Sequence, residues 1–184
     1  MDLFTDLTGM ARTFPLMRGG GALLVLVGLG LIVGGAGGRS WLLPGLITGA
    51  AVSVLVLMVG GITKTVFSGL GYPAIYQYVA FGIGVVVEVG LVNLVVAKVP
   101  DRESREFWLW ILLVVGVHFL ILAFSHGPIC GLLGLLCILN AGLGLLVPGI
   151  PYRALWVSDG VLKVAAGTVM VWLSYLGVAA DSAP

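Results

Sequence analysis

Charged residues are scarce in this chain, since Lys, Arg, Asp and Glu together make up 9% of its 184 residues. A water-soluble domain carries about 25% charged residues, so the composition excludes a soluble globular protein. The net charge is only +1 and no basic patch is present, which excludes nucleic acid as a partner. With 60% hydrophobic residues and a mean hydropathy of +1.18, the chain has the composition of an integral membrane protein.

Cysteine and histidine are also rare, with two residues of each. Cys130 and Cys137 are seven residues apart, about 10.5 Å along a straight helix and beyond the roughly 7 Å limit for a disulfide, so we expect packed thiols. Gly127 and Pro128 separate His126 from Cys130, which favours a tight turn with proline opening the next helix over a metal site. No nucleophile stands at a hydrolase spacing from a histidine. The sequence therefore predicts no metal, no cofactor and no catalytic residue, and it leans away from an enzyme.

Long apolar runs are what the chain has instead. A membrane-spanning helix needs about 20 apolar residues, and in lipid the backbone polar groups must pair within the helix. The alternation of a barrel strand is absent. We therefore predict an all-α polytopic membrane protein, a single transmembrane domain of six helices arranged as three hairpins with both termini on one side. The predicted spans are Gly19 to Gly38, Trp41 to Ile62, Ala74 to Ala97, Phe107 to Phe124, Pro128 to Val147 and Ser158 to Val178.

Apolar residues before the first span recur at the spacing of one helical face. They are Leu3, Leu7, Met10 and Phe14, and Pro15 follows them. This pattern predicts a short interfacial helix over residues 1–15 that lies on the bilayer. The alternative is a frayed terminus.

We call the side that carries the termini side A and the opposite side side B. Side A has three basic residues and side B has five, so the positive-inside rule favours side B as cytoplasmic by a small margin. The side-A residues are Arg12, Arg18 and Lys64, and those on side B are Arg39, Lys98, Arg102, Arg105 and Arg153. An excess of two leaves the orientation open.

Ionisable side chains inside a bilayer cost about 2.5–3.5 kcal/mol each, so they usually have a role and a partner. Glu88 and His118 lie on neighbouring antiparallel helices at the same predicted depth, about 15 Å below side B. Lys163 is predicted about 8 Å below side B and is spaced to pair with Asp159 at i,i+4. The strongly polar intramembrane groups are all predicted in the half of the membrane nearer side B. The candidate site residues are Glu88, Asn93, His118, Asn140, Asp159 and Lys163.

Two functions are compatible with this polar set. In a small transporter or ion-conducting protein, Glu88 and His118 would hold or exchange a proton, Lys163 would supply positive charge, and Asn93 or Asn140 would orient a ligand or water. This function requires a cavity, expected to open to side B. In a structural or accessory membrane protein, stress-related or part of a complex, the same residues would join helices in a sealed core. An intramembrane enzyme acting on a lipid is a third class without a supporting motif.

Small residues at a spacing of four mark faces where helices approach closely. Such rows are Gly30 with Gly34, and Gly45 with Gly49 and Ser53. Two further stripes are predicted to face the bundle: Gln77, Phe81, Gly84 and Glu88 on the third helix, and Gly160, Lys163, Gly167 and Ser174 on the sixth. The bilayer is the expected partner, and a homo-oligomer through glycine-rich faces or another membrane protein is left open.

The first and last hairpins share a short sequence. Gly28-Leu-Gly-Leu-Ile-Val33 resembles Gly142-Leu-Gly-Leu-Leu-Val147, which predicts that these hairpins are copies with the same topology. Chance matches are expected in a glycine-rich chain, so independent origin is the alternative.

A longer pattern resembles a known family. It comprises Phe107-Trp-Leu-Trp-Ile-Leu-Leu, His118-Phe-Leu, His126-Gly-Pro128 and Leu133-Gly-Leu-Leu-Cys-Ile-Leu-Asn140. The pattern resembles a family of small bacterial six-helix membrane proteins of unknown function, which implies a multi-pass protein of a bacterial inner membrane and supplies no catalytic residue. The hairpin layout is also similar to acid-resistance proteins of the HdeD type, in layout more than in sequence. The polar set departs from that type, so acid resistance is not implied.

Overall fold

The structure is a computed structural model that describes residues 9–59 and 71–181. The described residues form helices and short connections, without a strand among them. The six long helices are α1 (Met17–Gly37), α2 (Arg39–Val59), α3 (Ile75–Lys98), α4 (Arg105–His126), α5 (Pro128–Leu146) and α6 (Tyr152–Asp181). Each is long and apolar enough to cross a membrane, which confirms the predicted all-α fold with six spans. The end of the second predicted span, up to Ile62, lies outside the described residues.

Neighbouring helices in the bundle are antiparallel. The most extensive contact joins α1 to α6, and the next joins α4 to α5. The α1 helix also packs against α2, α4 packs against α3, and α5 packs less extensively against α6. The outer helices α2 and α3 therefore have one main neighbour each, and most of their surface is exposed.

Glycine rows hold α1 against α2, as the sequence predicted. A methyl group added to Gly45 would lie 2.5 Å from the carbonyl oxygen of Gly30, and one added to Gly49 would lie 2.8 Å from that of Leu26. No side chain fits between backbones this close, so only glycine permits the contact. The predicted close approach is confirmed.

The same device recurs at two further interfaces. Gly28 of α1 faces Gly160 of α6, and a methyl group on either would lie 2.7 Å from the other's carbonyl oxygen. In α4 and α5, Gly116 and Gly134 face each other in the same way. These glycine faces are filled within the protomer and are not available to a second copy. Gly142, the proposed repeat counterpart of Gly28, has no such neighbour within 4 Å, so the matched glycines lie in different environments.

The turn between α4 and α5 consists of Gly127 alone. Its φ of +97° is in the region that favours glycine, and Pro128 occupies the first turn of α5, where its missing N–H leaves no helical hydrogen bond unmade. The turn predicted from His126-Gly-Pro is confirmed.

The sixth helix begins earlier than predicted, at Tyr152 in place of Ser158. Pro151 precedes it, and the carbonyl oxygen of Pro151 accepts the N–H of Ala154 at 3.0 Å, which opens the helix at the proline. Lys163 is therefore eleven residues into the helix, about 16 Å from its side-B end. Its Nζ lies 5.4 Å from the ring centre of Phe119, next to His118, so Lys163 is at about the same level of the bundle as the Glu88 and His118 pair.

Residues 9–13 form a short helix before Pro15. Met10 and Phe14 pack against the buried cluster around Met17, and Gln77 donates a hydrogen bond to the carbonyl oxygen of Thr13 at 2.8 Å. This part of the N-terminal segment is attached to the side-A end of the bundle. Leu3 and Leu7 lie outside the described residues, so a helix lying on the bilayer stays a prediction.

Candidate functional site

A cavity of ≈ 430 Å³ lies mainly between α1, α3, α4 and α6, and Leu46 of α2 and Cys130 of α5 also line it. Its lining is mainly aliphatic and aromatic, and it includes Glu88, His118, Asp159 and Lys163. The structure thus brings four of the six predicted site residues to one cavity. The volume is within the range of about 300–1,000 Å³ typical of small-molecule sites.

The cavity opens sideways, between α1 and α3. Leu23 on α1 is 37% exposed, and Phe81 and Val85 on α3 are 45% and 40% exposed, although all three line the cavity. These two helices are not packed extensively against each other, which leaves the gap. In a bilayer this gap faces the lipid, and an opening to side B stays a prediction.

Glu88 and His118 meet on this cavity from α3 and α4. Nδ1 of His118 lies 3.0 Å from the carbonyl oxygen of Gly84 and 3.4 Å from Oε2 of Glu88. A carbonyl oxygen only accepts hydrogen bonds, so Nδ1 carries a hydrogen and donates it. The Nδ1–H of His118 makes this bond in the neutral and in the protonated ring alike, and the bond links α4 to α3.

Asp159 and Lys163 form a second pair, one helical turn apart on α6. Nζ of Lys163 donates to Oδ2 of Asp159, and the two side chains are 3% and 0% exposed, respectively. Nζ also lies 3.8 Å from Sγ of Cys137 and 5.4 Å from the ring centre of Phe119. The predicted i,i+4 pair is confirmed.

The Asp159 pair is not fully satisfied. Oδ1 of Asp159 and Nε1 of Trp156, one turn away, are both buried without a hydrogen-bond partner among the described residues. Buried polar atoms are usually paired, so this end of the cavity holds two polar atoms whose bonding is incomplete.

Asn93 and Asn140 lie away from the cavity. Asn93 is on the exposed face of α3, where its amide donates to the carbonyl oxygen of Val89 in its own helix at 2.8 Å. Asn140 joins α5 to α6, since its amide donates to the carbonyl oxygen of Leu155 at 2.8 Å and its own oxygen accepts from Ser158 at 2.7 Å. The structure does not bring either residue to the ionisable pairs.

His126 is a cavity residue that the candidate set omitted. Its Nδ1 lies 2.7 Å from Oγ of Ser125, and its ring lies against the bare backbone of Gly20, where an added methyl group would be 2.9 Å from Nε2. The sequence did carry a signal, because His118, Leu122 and His126 follow at i, i+4 and i+8 on one helical face. The Gly-Pro that follows His126 predicts only the turn and gives no information about the surroundings of the ring.

Buried polar residues also cluster at the side-A end, contrary to the expectation that all lie nearer side B. Arg18 is 6% exposed, and its guanidinium donates to Oγ of Ser174 at 2.9 Å and to the Ser174 carbonyl oxygen at 3.2 Å. The group also lies 4.1 Å from the ring centre of Tyr175. Arg18 thus joins the start of α1 to the end of α6. From the sequence, Arg18 is one of the basic residues at the side-A membrane edge. Its burial could not be predicted there, because its partner Ser174 is 156 residues away in the chain.

The fold and this site define a multi-pass helical membrane protein with a mainly apolar cavity among its helices that includes four ionisable side chains. The sequence matches a family described as "Family of unknown function (DUF6609)" over residues 8–176, so the chain belongs to that family. The resemblance to a family of unknown function is thereby confirmed. No curated protein and no solved structure matches the chain, and the similarity to HdeD-type layouts stays a prediction.

Proposed function

We propose that this protein is a small proton-linked transporter whose central cavity holds the substrate and whose Glu88 and His118 hold the exchanging proton. The observation that supports this function is the convergence of Glu88, His118, Asp159 and Lys163 on one cavity within the membrane. Four such side chains are expensive to keep in a bilayer, and residues of this kind mark ion and proton pathways.

The chemistry of the Glu88 and His118 pair suits proton transfer. The carboxylate of Glu88 and the imidazole of His118 lie 3.4 Å apart, so a proton held by one group is close to the other. Glu88 is 33% exposed and lies at the lateral gap, whereas the Asp159 and Lys163 side chains are closed off. Glu88 is therefore the carboxylate that can gain and lose a proton, and the second pair supplies fixed charges behind it.

The first experiment is proton flux into liposomes that contain the purified protein and a trapped pH-sensitive dye. We expect flux in the wild type and its loss in Glu88→Gln, which keeps the side-chain shape and removes the titrating group. Glu106→Gln is the matched control, because Glu106 lies in the first turn of α4 at the membrane edge. Equal flux in wild type and Glu88→Gln would contradict the proposal.

A structural or accessory role is the second candidate, and one contact favours it. The bond from His118 to the carbonyl oxygen of Gly84 joins α3, which has few other neighbours, to the rest of the bundle. If this role is correct, substitution of His118 or Glu88 lowers thermal stability, and neither the wild type nor the variants show proton flux.

A further inference from the structure

The ionisable lining of the cavity has one carboxylate that is open to a ligand. The titratable groups around the cavity are Glu88 from α3, His118 and His126 from α4, Cys130 from α5, and Asp159 and Lys163 from α6. Asp159 and Lys163 neutralise each other and are almost fully buried. With both histidines neutral, the lining has a formal charge of −1, and that charge is on Glu88.

His118 compensates this charge only in part. Its Nδ1–H is directed to the carbonyl oxygen of Gly84 at 3.0 Å, and the Glu88 oxygen lies farther away at 3.4 Å. The other oxygen of Glu88 has no hydrogen bond to any side chain or backbone group that the structure describes. A carboxylate in an apolar cavity needs a positive partner, and Glu88 finds one either in a proton that it holds together with His118 or in a cationic ligand.

The shape of the cavity restricts what that cation is. Its walls are apolar and include the ring of Phe81, and the face of an aromatic ring attracts cations. Its gap faces lipid between α1 and α3, so a ligand that uses this gap must dissolve in hydrocarbon. A small, strongly hydrated metal ion does not meet this condition, and an organic cation with an apolar body does.

We propose that the cavity binds a lipophilic organic cation, with its apolar body between α1 and α3 and its charge at Glu88. This proposal rests on the proposed function and specifies its substrate class. Binding the cation releases the proton that Glu88 and His118 hold, so one proton leaves as one cation binds. The two ligands of Glu88 therefore exclude each other, which is the requirement for exchange across the membrane.

Two ions of equal shape and opposite charge test the proposal. Tetraphenylphosphonium and tetraphenylborate differ mainly in the sign of the charge, so the difference in their affinities, each corrected for partitioning into empty nanodiscs of the same lipid, reports the electrostatics of the cavity. We expect the wild-type protein in nanodiscs to bind the phosphonium at least about tenfold more tightly, equivalent to about 1.4 kcal/mol. We also expect a measurable proton release in weakly buffered solution. Equal affinity for the two ions would overturn the proposal.

Three variants assign the effect to Glu88. Glu88→Gln should abolish the preference for the phosphonium and the proton release, whereas Glu88→Asp keeps the charge and should retain the preference. Glu106→Gln should behave as wild type. If Glu88→Gln fails to fold, Glu88→Asp provides the test by itself. Because this variant keeps the negative charge, loss of its preference for the phosphonium would overturn the assignment of the preference to Glu88.

The binding and flux results separate this inference from the proposed function. If proton flux depends on Glu88 but the phosphonium is not bound selectively, the proposed proton pathway stands and the lipophilic cation is overturned as the substrate. Selective binding without proton flux, when the flux is measured with a gradient of the phosphonium across the liposome membrane, would keep the cation site and overturn the transporter.

Discussion

Asp159 and Lys163 form an ion pair within one helix that is closed to water, with both side chains at most 3% exposed. The pair lies near the middle of α6 and contacts α5 through Cys137 and α4 through Phe119. A buried ion pair is costly to form and more costly to break, because removing one partner leaves the other charge alone in an apolar environment.

We expect Lys163→Met to destabilise the protein by about 3–5 kcal/mol, since it leaves the Asp159 carboxylate unpaired. Asp159→Asn should have a similar effect by leaving the ammonium group unpaired. The double variant should recover most of the loss, because both charges are then absent. Reversible unfolding of the wild type and the three variants would measure this cycle, and additive losses would show that the two residues do not stabilise each other.

The contact between α1 and α2 depends on the small size of the side chains at the interface. Gly45→Ala would place a methyl group 2.5 Å from the carbonyl oxygen of Gly30, so the two helices must move apart. We expect a loss of about 1–3 kcal/mol, as for other overpacked contacts, seen as a lower melting temperature in detergent. The matched control is Gly90→Ala on α3, where an added methyl group meets nothing within 4 Å. Equal effects of the two substitutions would contradict the glycine contact.

Arg105 caps a helix to which it does not belong. Its guanidinium donates to the carbonyl oxygens of Gly144 at 2.7 Å and Val147 at 3.2 Å, and also to that of Pro148, at the carboxyl end of α5. These groups have no partner within a helix, and a positive charge there is favourable. We expect Arg105→Ala to lower stability by about 1–2 kcal/mol. Arg102→Ala, in the exposed connection before α4, should change stability much less, and thermal unfolding in detergent compares the two.

The sequence predicted the features that depend on local pattern. The six spans follow from apolar length, and the contact of Gly30 with Gly45 follows from small-residue spacing. The position of Glu88 toward the bundle follows from its phase with Gln77 and Gly84. These properties concern one helix or one pair of helices adjacent in the chain, so local sequence patterns are enough to predict them.

Other features depend on contacts between distant parts of the chain. The packing of α1 against α6 joins the two ends of the sequence, and an apolar face does not specify which helix covers it. Arg18 is interfacial by sequence position and buried in the structure because Ser174 and Tyr175 surround it. The lateral gap arises because α1 and α3 do not pack together. Neither the gap nor its direction is encoded in the pattern of any one helix.

The two candidate functions of His118 are separable by choice of substitution. Asparagine has an amide nitrogen near the position of Nδ1, so His118→Asn can keep the bond to the carbonyl oxygen of Gly84 while removing the titrating ring. His118→Leu removes both. We expect His118→Leu to be less stable than His118→Asn by about 0.6 kcal/mol, the average for interhelical hydrogen bonds in membranes, and by at most about 1.7 kcal/mol.

Proton flux should be low in both variants, because neither side chain exchanges a proton near neutral pH. Flux at the wild-type level in His118→Asn would show that the imidazole is required only as a link between α3 and α4. The proton would then be carried by Glu88 without its partner. Thermal unfolding and proton flux measured on the same preparations distinguish the two roles of His118. If the role is structural, the substitutions change only the thermal stability. If His118 carries the proton, His118→Asn lowers the flux even though it keeps the bond to Gly84.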